Sequence, residues 1–154
     1  MDFEIVNLNK SHIDGIVKLE QTCFSSPWTR EGIEEELSNP QAHFLAAESG
    51  EVLGYIGVQE IAGEAYITNI AVLPQYRRNG IAEALLNAAA GGAKERGCAF
   101  ITLEVRVSNL PAIALYEKCG FEPAGRRKNF YANPAEDALI YTKFFEVQNE
   151  NTCN

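Results

Sequence analysis

An α/β (α+β) domain on a mixed, mostly antiparallel sheet is predicted by three features of this 154-residue sequence. Strand-like runs cluster in the middle of the chain, joined by turns at Ser49-Gly50 and Ala62-Gly63. Amphipathic helical stretches flank that cluster on both sides. A composition of 46% hydrophobic and 22% charged residues fits a single domain with a sizeable core. Residues 1–147 are read as that domain and residues 148–154 as a flexible polar tail.

"FEIVNL" reads as a first strand. In "SHIDGIVKLEQTCF" Ser11 is the expected N-cap, and Ile13, Ile16, Val17, Glu20 and Phe24 fall at helical spacing. "SSPW" breaks the chain, and "TREGIEEELSNP" forms a short helix capped by Thr29 and stopped before Pro40. "HFLAAES", "EVLGYIGVQEI" and "AYITNIAVL" then make an antiparallel meander. The next helix runs from about residue 80 to 96, with Ile81, Leu85, Ala88 and Ala89 on one face and Gly91-Gly92 suggesting close packing on the sheet. "FITLEVRV" is a strand, "NLPAIALYEKCG" a helix from an Asn N-cap, and "DALIYTKFFEV" the last strand.

Composition excludes several classes. With 21 acidic against 13 basic residues and a net charge of -8, the chain lacks the basic footprint of a nucleic-acid binder and suits a basic protein or peptide partner. No apolar run approaches the roughly 20 residues of a membrane span, and "MDFEIVNLNK" does not read as a secretory leader. Cys23, Cys98, Cys119 and Cys153 are scattered without metal-ligand spacing, so no metal and a reducing cytoplasm are expected.

Against that acidity, "NIAVLPQYRRNGIAEALL" sets Arg77 and Arg78 at the mouth of a helix. The first amides of a helix lack internal partners and carry the positive end of its dipole. Gly80 and Ala82 allow close approach of an anion there, and the arginines can add charge-assisted hydrogen bonds. A tight turn with solvated arginines explains the same residues. The spacing is neither a Walker loop nor a Rossmann fingerprint. "RRNGIA" does resemble the Arg/Gln-x-x-Gly-x-Gly/Ala pyrophosphate motif of the GCN5-related N-acetyltransferases (GNAT family), with Arg77, Gly80 and Ala82 in its places. The segments "CFSSPWT", "LEVRVSNLPAIALYEKCGF" and "RRKNFYANPAEDALIY" extend the resemblance over nearly the whole chain, toward the RimI branch, the ribosomal-protein-alanine acetyltransferases.

The resemblance implies a sheet splayed in the middle, with acetyl-CoA in the V. Backbone of Ile70, Ala71 and Val72 would pair with its pantetheine arm, and Arg77, Arg78, Asn79, Gly80, Ile81 and Ala82 would cradle its pyrophosphate. Along "FITLEVRV", alternation leaves Thr102, Glu104 and Arg106 on the face opposite Ile101, Leu103, Val105 and Val107. Taken by itself, Glu104 is either a surface residue paired with Arg106 or a carboxylate bordering a cleft; the resemblance makes it the general base for an amine. Asn109 is a helix N-cap, and by resemblance also a contact to the cofactor arm. Tyr116 reads as an amphipathic core tyrosine, and by resemblance as the general acid for the thiolate. The backbone N–H of Val72 is implied as the oxyanion donor. A cysteine nucleophile is disfavoured, since Cys119 ends a helix and neither His12 nor His43 is linked by motif to a cysteine.

"SSPW" and "RRKNFYANP" resemble two walls of a peptide groove, with Trp28 and Tyr131 against the acceptor. The expected reaction is acetylation of the N-terminal alanine of a basic small-subunit ribosomal protein. Competing readings keep the fold with a lysine or small-molecule amine as acceptor, or make the chain a non-catalytic acyl-CoA-binding module.

Overall fold

The computed structural model describes residues 1–146. The tail expected over residues 148–154 lies outside the described residues, as does Cys153. The chain forms β1 (Glu4–Asn7), α1 (Ile13–Cys23), α2 (Arg30–Leu37), β2 (Ala42–Glu48), β3 (Val52–Ile61) and β4 (Glu64–Val72). It continues through α3 (Ile81–Glu95), β5 (Phe100–Arg106), α4 (Leu110–Lys118), β6 (Glu122–Ala132) and β7 (Ala135–Phe144). The seven strands make one sheet in the order β1-β2-β3-β4-β5-β7-β6, antiparallel except where β4 meets β5. The mixed, mostly antiparallel sheet is therefore as expected.

Local chemistry sets the helix starts. Thr29 and Asn109 cap α2 and α4, accepting from the backbone N–H of Gly32 at 3.0 Å and of Ala112 at 3.3 Å. Ser11 is not the cap before α1. Asn9 holds that place, accepting from the Ser11 N–H at 2.8 Å while its own N–H donates to His12 Nδ1 at 2.9 Å, so the chain enters through a 3-10 turn, Lys10–His12. His12 is thereby structural, and its other ring nitrogen meets Glu48 at 2.9 Å.

Two layers of side chains cover the sheet. Ile16 and Leu19 of α1 and Ile33 of α2 pack with Phe44, Tyr55 and Ala71 on one side. Leu85, Leu86, Ala89 and Ala93 of α3 and Tyr116 of α4 pack with Ile56, Ile101 and Leu103 on the other. Gly91 does not pack on the sheet as expected: it is exposed, with nothing within 4 Å of a Cβ placed on it, while Gly92 faces the Arg96 guanidinium. Close approach of α3 rests on its alanines instead.

β6 is the element that sequence patterning did not anticipate. Its residues are exposed at nearly every position, so no apolar alternation marks it. It exists because β7 offers a free edge, and its basic residues discourage further pairing on the outer side.

Two irregularities position the site. β4 and β5 pair in parallel only at Glu64–Phe100, Ala65–Ile101 and Tyr66–Thr102, and past them the sheet opens into the expected V. In β4, Asn69 lies opposite Gly57 and Ile67 opposite Val58, which leaves Thr68 as a bulge at the start of the opening. The bulge sits against Gly57, where a Cβ would fall 2.7 Å from the Phe44 ring and 2.8 Å from the Thr68 hydroxyl.

Candidate active site

The V is a cleft of about 750 Å³. Its walls are Ile67–Ile70 of β4, Leu103–Arg106 of β5, the loop Cys23–Ser26 after α1, and Phe130–Pro134 of the β6–β7 hairpin, with Asn109 and Tyr116 contributed by α4. Hydrogen-bond alternation fixes which backbone groups of β4 face the opening. Leu73 donates to the Leu53 carbonyl at 2.9 Å, so Leu53–Leu73 is a hydrogen-bonded pair, and Tyr55–Ala71 is the next. Gly54–Val72 and Ile56–Ile70 are the intervening pairs, whose N–H and C=O groups point away from β3. Ile70 and Val72 therefore present backbone donors and acceptors to the splayed side, whereas those of Ala71 are turned toward Tyr55.

At the far end of β4 the chain passes through a 3-10 turn, Pro74–Tyr76, into α3. Arg78 and Gly80 both take left-handed backbone conformations, with φ of 66° and 76°. No side chain caps α3, so the amides of its first turn have no side-chain partner. The buried Ile81 side chain anchors this mouth, and the Asn79 amide holds the turn by donating to the carbonyls of Tyr76 at 2.9 Å and Arg77 at 3.2 Å. Arg77 Nε lies 3.4 Å from the Val72 carbonyl, and the Arg78 side chain is exposed. An uncapped helix start beside two arginines is an arrangement suited to a phosphate.

On the opposite wall, alternation along β5 buries Ile101, Leu103 and Val105 and turns Glu104 into the cleft. Glu104 does not pair with Arg106; its carboxylate meets Arg127 of β6 at 3.2 Å. Arg106 instead ties down the hairpin. It contacts Glu136 at 3.2 Å, donates to the Pro134 carbonyl at 2.8 Å, and lies 4.3 Å over the Tyr131 ring. Hydrogen bonding from Ser108, aided by Arg106, holds the Glu136 carboxyl below its usual range.

The two phenols of the cleft are electrostatically linked. Burial, then the neighbouring charge of Glu104, pushes Tyr131 up. Burial pushes Tyr116 up to about 12, with Tyr131 adding to the effect. Both hydroxyls accordingly keep their protons at neutral pH.

The segment spanning residues 13–121 matches the model of the Acetyltransferase (GNAT) family. The chain belongs to the GNAT family of acetyltransferases. Its similarity to named members extends well beyond a motif. It is 43% identical over 136 residues to a Bacillus subtilis protein provisionally named a ribosomal protein bS18-alanine N-acetyltransferase, covering 87% of this chain and 90% of that one. It is 34% identical over 138 residues to the Escherichia coli (strain K12) ribosomal protein bS18-alanine N-acetyltransferase, covering 88% and 93%. The crystal structure of the Escherichia coli ribosomal-protein-S18-alanine N-acetyltransferase superposes with a TM-score of 0.88 at 31% identity, over 97% of this chain and 98% of that one.

For this GNAT domain, the structure gathers Ile70, Glu104, Asn109, Tyr116 and Tyr131 around one cleft, with the turn from Arg77 to Ala82 at the end of β4. It does not bring Trp28 there. The Trp28 ring packs against Phe44 at 6.1 Å on the covered face of the sheet, and Phe24, Ser25 and Ser26 of the same loop line the cleft instead. Sequence reasoning missed Arg127 beside Glu104, and Asn69, which lines the cleft and bonds to Glu20. A signal for Glu20 was present, since a carboxylate on an otherwise apolar helical stripe needs buried partners. Among the described cysteines, desolvation raises the half-buried Cys23 and the buried Cys119, and pushes the buried Cys98 up to about 11. None of the described residues form a His/Cys/Asp/Glu group able to hold a metal ion.

Proposed function

We propose that this acetyltransferase moves the acetyl group of acetyl-CoA to the N-terminal amine of a polypeptide, by direct attack within one ternary complex. The observation that supports the reading is that Glu104 and Tyr116 both line one cleft, whose β4 edge turns the Ile70 backbone groups and the Val72 N–H away from β3. The chain's residues fit the thioester co-substrate. The uncapped mouth of α3, with Arg77, Arg78 and the turn Asn79–Ala82, suits its diphosphate, and the Ile70 and Val72 backbone suits an extended amide-bearing arm. Ala71 contributes its small side chain rather than its backbone to that strand, and Asn109 borders the arm while capping α4.

Acetyl transfer forms a C–N bond, breaks a C–S bond and moves two protons. The amine, whose ordinary pKa near 8 leaves much of it protonated at neutral pH, gives up two: Glu104 takes the first and passes it to solvent, and the second, lost from nitrogen after attack, replaces the one that Tyr116 gives to sulfur. The Val72 N–H donates to the oxygen on which charge develops, and Tyr116 returns a proton to the departing sulfur. Tyr131, held flat by Arg106, and the loop Phe24–Ser26 bound the acceptor.

The acceptor is proposed to be the N-terminal alanine of a basic small-subunit ribosomal protein. The bacterial relatives are named for an alanine of ribosomal protein bS18, and the net charge of -8 complements a basic chain. The encounter needs no nucleic-acid or membrane contact and belongs in the cytoplasm; no described helix is long and apolar enough to cross a membrane. Incubation with acetyl-CoA and alanine-started peptides tests the reading by mass spectrometry. One acetyl group should appear on peptides with a free N-terminus and none on N-terminally blocked peptides carrying lysine. Equal acetylation of both would reject an N-alpha acceptor.

A further inference from the structure

Glu20 is 1% exposed in a helix face otherwise made of Ile13, Ile16 and Leu19. Both of its oxygens are engaged: Oε1 accepts from the Trp28 backbone N–H at 2.8 Å, and Oε2 from the Tyr55 hydroxyl at 2.5 Å and the Asn69 amide at 3.2 Å. Burial, then this bond to Glu20, raises the Tyr55 pKa, consistent with a phenol that only donates. One turn further along α1, the Cys23 thiol lies 3.6 Å from the Val72 carbonyl. The last turn of α1 is thus tied to the splayed segment of β4 at Asn69 and at Val72.

A carboxylate in such a position is costly to desolvate, and an apolar residue would fill the same space. What the carboxylate provides is three directed bonds to three different segments. Among the described residues, Ser25 and Ser26 make no backbone hydrogen bond to another segment, so the loop is held where it ends, by the Trp28 N–H bond to Glu20 of α1 and by the Trp28 ring on Phe44. On β4, an acceptor-only partner forces the Asn69 amide to turn its nitrogen toward Glu20. Its oxygen is left buried without a partner, a cost accepted only where the orientation is held.

We propose that Glu20 is a positioning residue for the amine acceptor, setting the Phe24–Ser26 wall and the Asn69 side of the cleft without touching substrate. This rests on the reading of the cleft as an acyl-transfer site. It predicts a specific split in kinetics, because the diphosphate end at α3 does not depend on these bonds.

The test uses the full chain, Glu20→Gln, which keeps volume but turns a donor toward donors, and Tyr55→Phe, which removes a single bond. Folding is checked by circular dichroism. KM for an alanine-started peptide should rise about tenfold in Glu20→Gln and about threefold in Tyr55→Phe, with KM for acetyl-CoA within about twofold of wild type. Amide hydrogen exchange over residues 24–28 should quicken in both. An unchanged acceptor KM in both variants, or an acetyl-CoA KM rising in step, would overturn the proposal. Should Glu20→Gln not fold, Tyr55→Phe decides alone. Should wild type acetylate no amine, the functional reading fails separately, and exchange over residues 24–28 still judges the positioning: faster exchange supports it and unchanged exchange refutes it.

Discussion

The two ends of the cleft are built by different means. At the α3 end, the groups available for recognition are main chain: the Ile70 backbone and the Val72 N–H facing away from β3, an uncapped helix start, and a turn held by the Asn79 amide. At the hairpin end it is offered by side chains from distant segments, with Arg106 over Tyr131, Arg127 on Glu104 and Glu136 receiving the Ser108 N–H. The first end suits a cofactor that is the same in every turnover. The second suits an acceptor whose identity can change among relatives while the fold stays fixed.

The largest effect is expected where the two ends meet. Replacing the proposed base, Glu104→Gln, should lower kcat by about 10³-fold while acetyl-CoA affinity by calorimetry stays at the wild-type value. A loss of cofactor affinity of comparable size would mean that Glu104 belongs to the α3 end. Tyr116→Phe should cost less, about 10²-fold in kcat, because a thiolate with an ordinary pKa near 8.5 departs with modest assistance. The upward shift of Tyr116 to about 12 also fixes the sign of a pH dependence. A raised pKa keeps the proton on the phenol at higher pH, so the rate should climb as the amine deprotonates near pH 8 and show no alkaline fall below about pH 10. A rate profile falling from pH 9 would contradict the shift.

The smallest effect should come from Asn109→Ala. Loss of the cap on α4 is worth about 1 kcal/mol, or a Tm lowered by about 2–4 °C, readable by thermal unfolding. If Asn109 also borders the cofactor arm, KM for acetyl-CoA rises as well; a stability change alone would leave it as a cap.

The same division explains what could be read from the sequence. The α3 mouth is local: six consecutive residues, Arg77 to Ala82, contain the turn, the glycine with positive φ and the start of the helix. Strand β5 was equally legible, because its alternation buries Ile101, Leu103 and Val105 and exposes Glu104 in strict sequence. The hairpin end was not. β6 has no apolar period because its partner is β7 alone, and Arg127 finds Glu104 across the intervening β7 rather than along one strand. Trp28 was legible as an aromatic in a wall-forming loop, yet its ring turns toward Phe44, a choice made by packing that no local pattern encodes. Likewise Ser11 and Asn9 are both competent caps, and the decision went to the residue whose N–H could also reach His12.

The separation of the two ends is tested most directly by a crossed pair of variants, Gly80→Val and Tyr131→Ala, each assayed for both substrates. A β-branched residue at the left-handed position of the helix mouth costs roughly 1–2 kcal/mol in backbone strain alone. It should raise KM for acetyl-CoA about tenfold and leave the peptide KM within about twofold. Tyr131→Ala should do the reverse. If both constants rise together in both variants, the cleft is a single cooperative surface, and the separation of cofactor and acceptor between main chain and side chains is wrong.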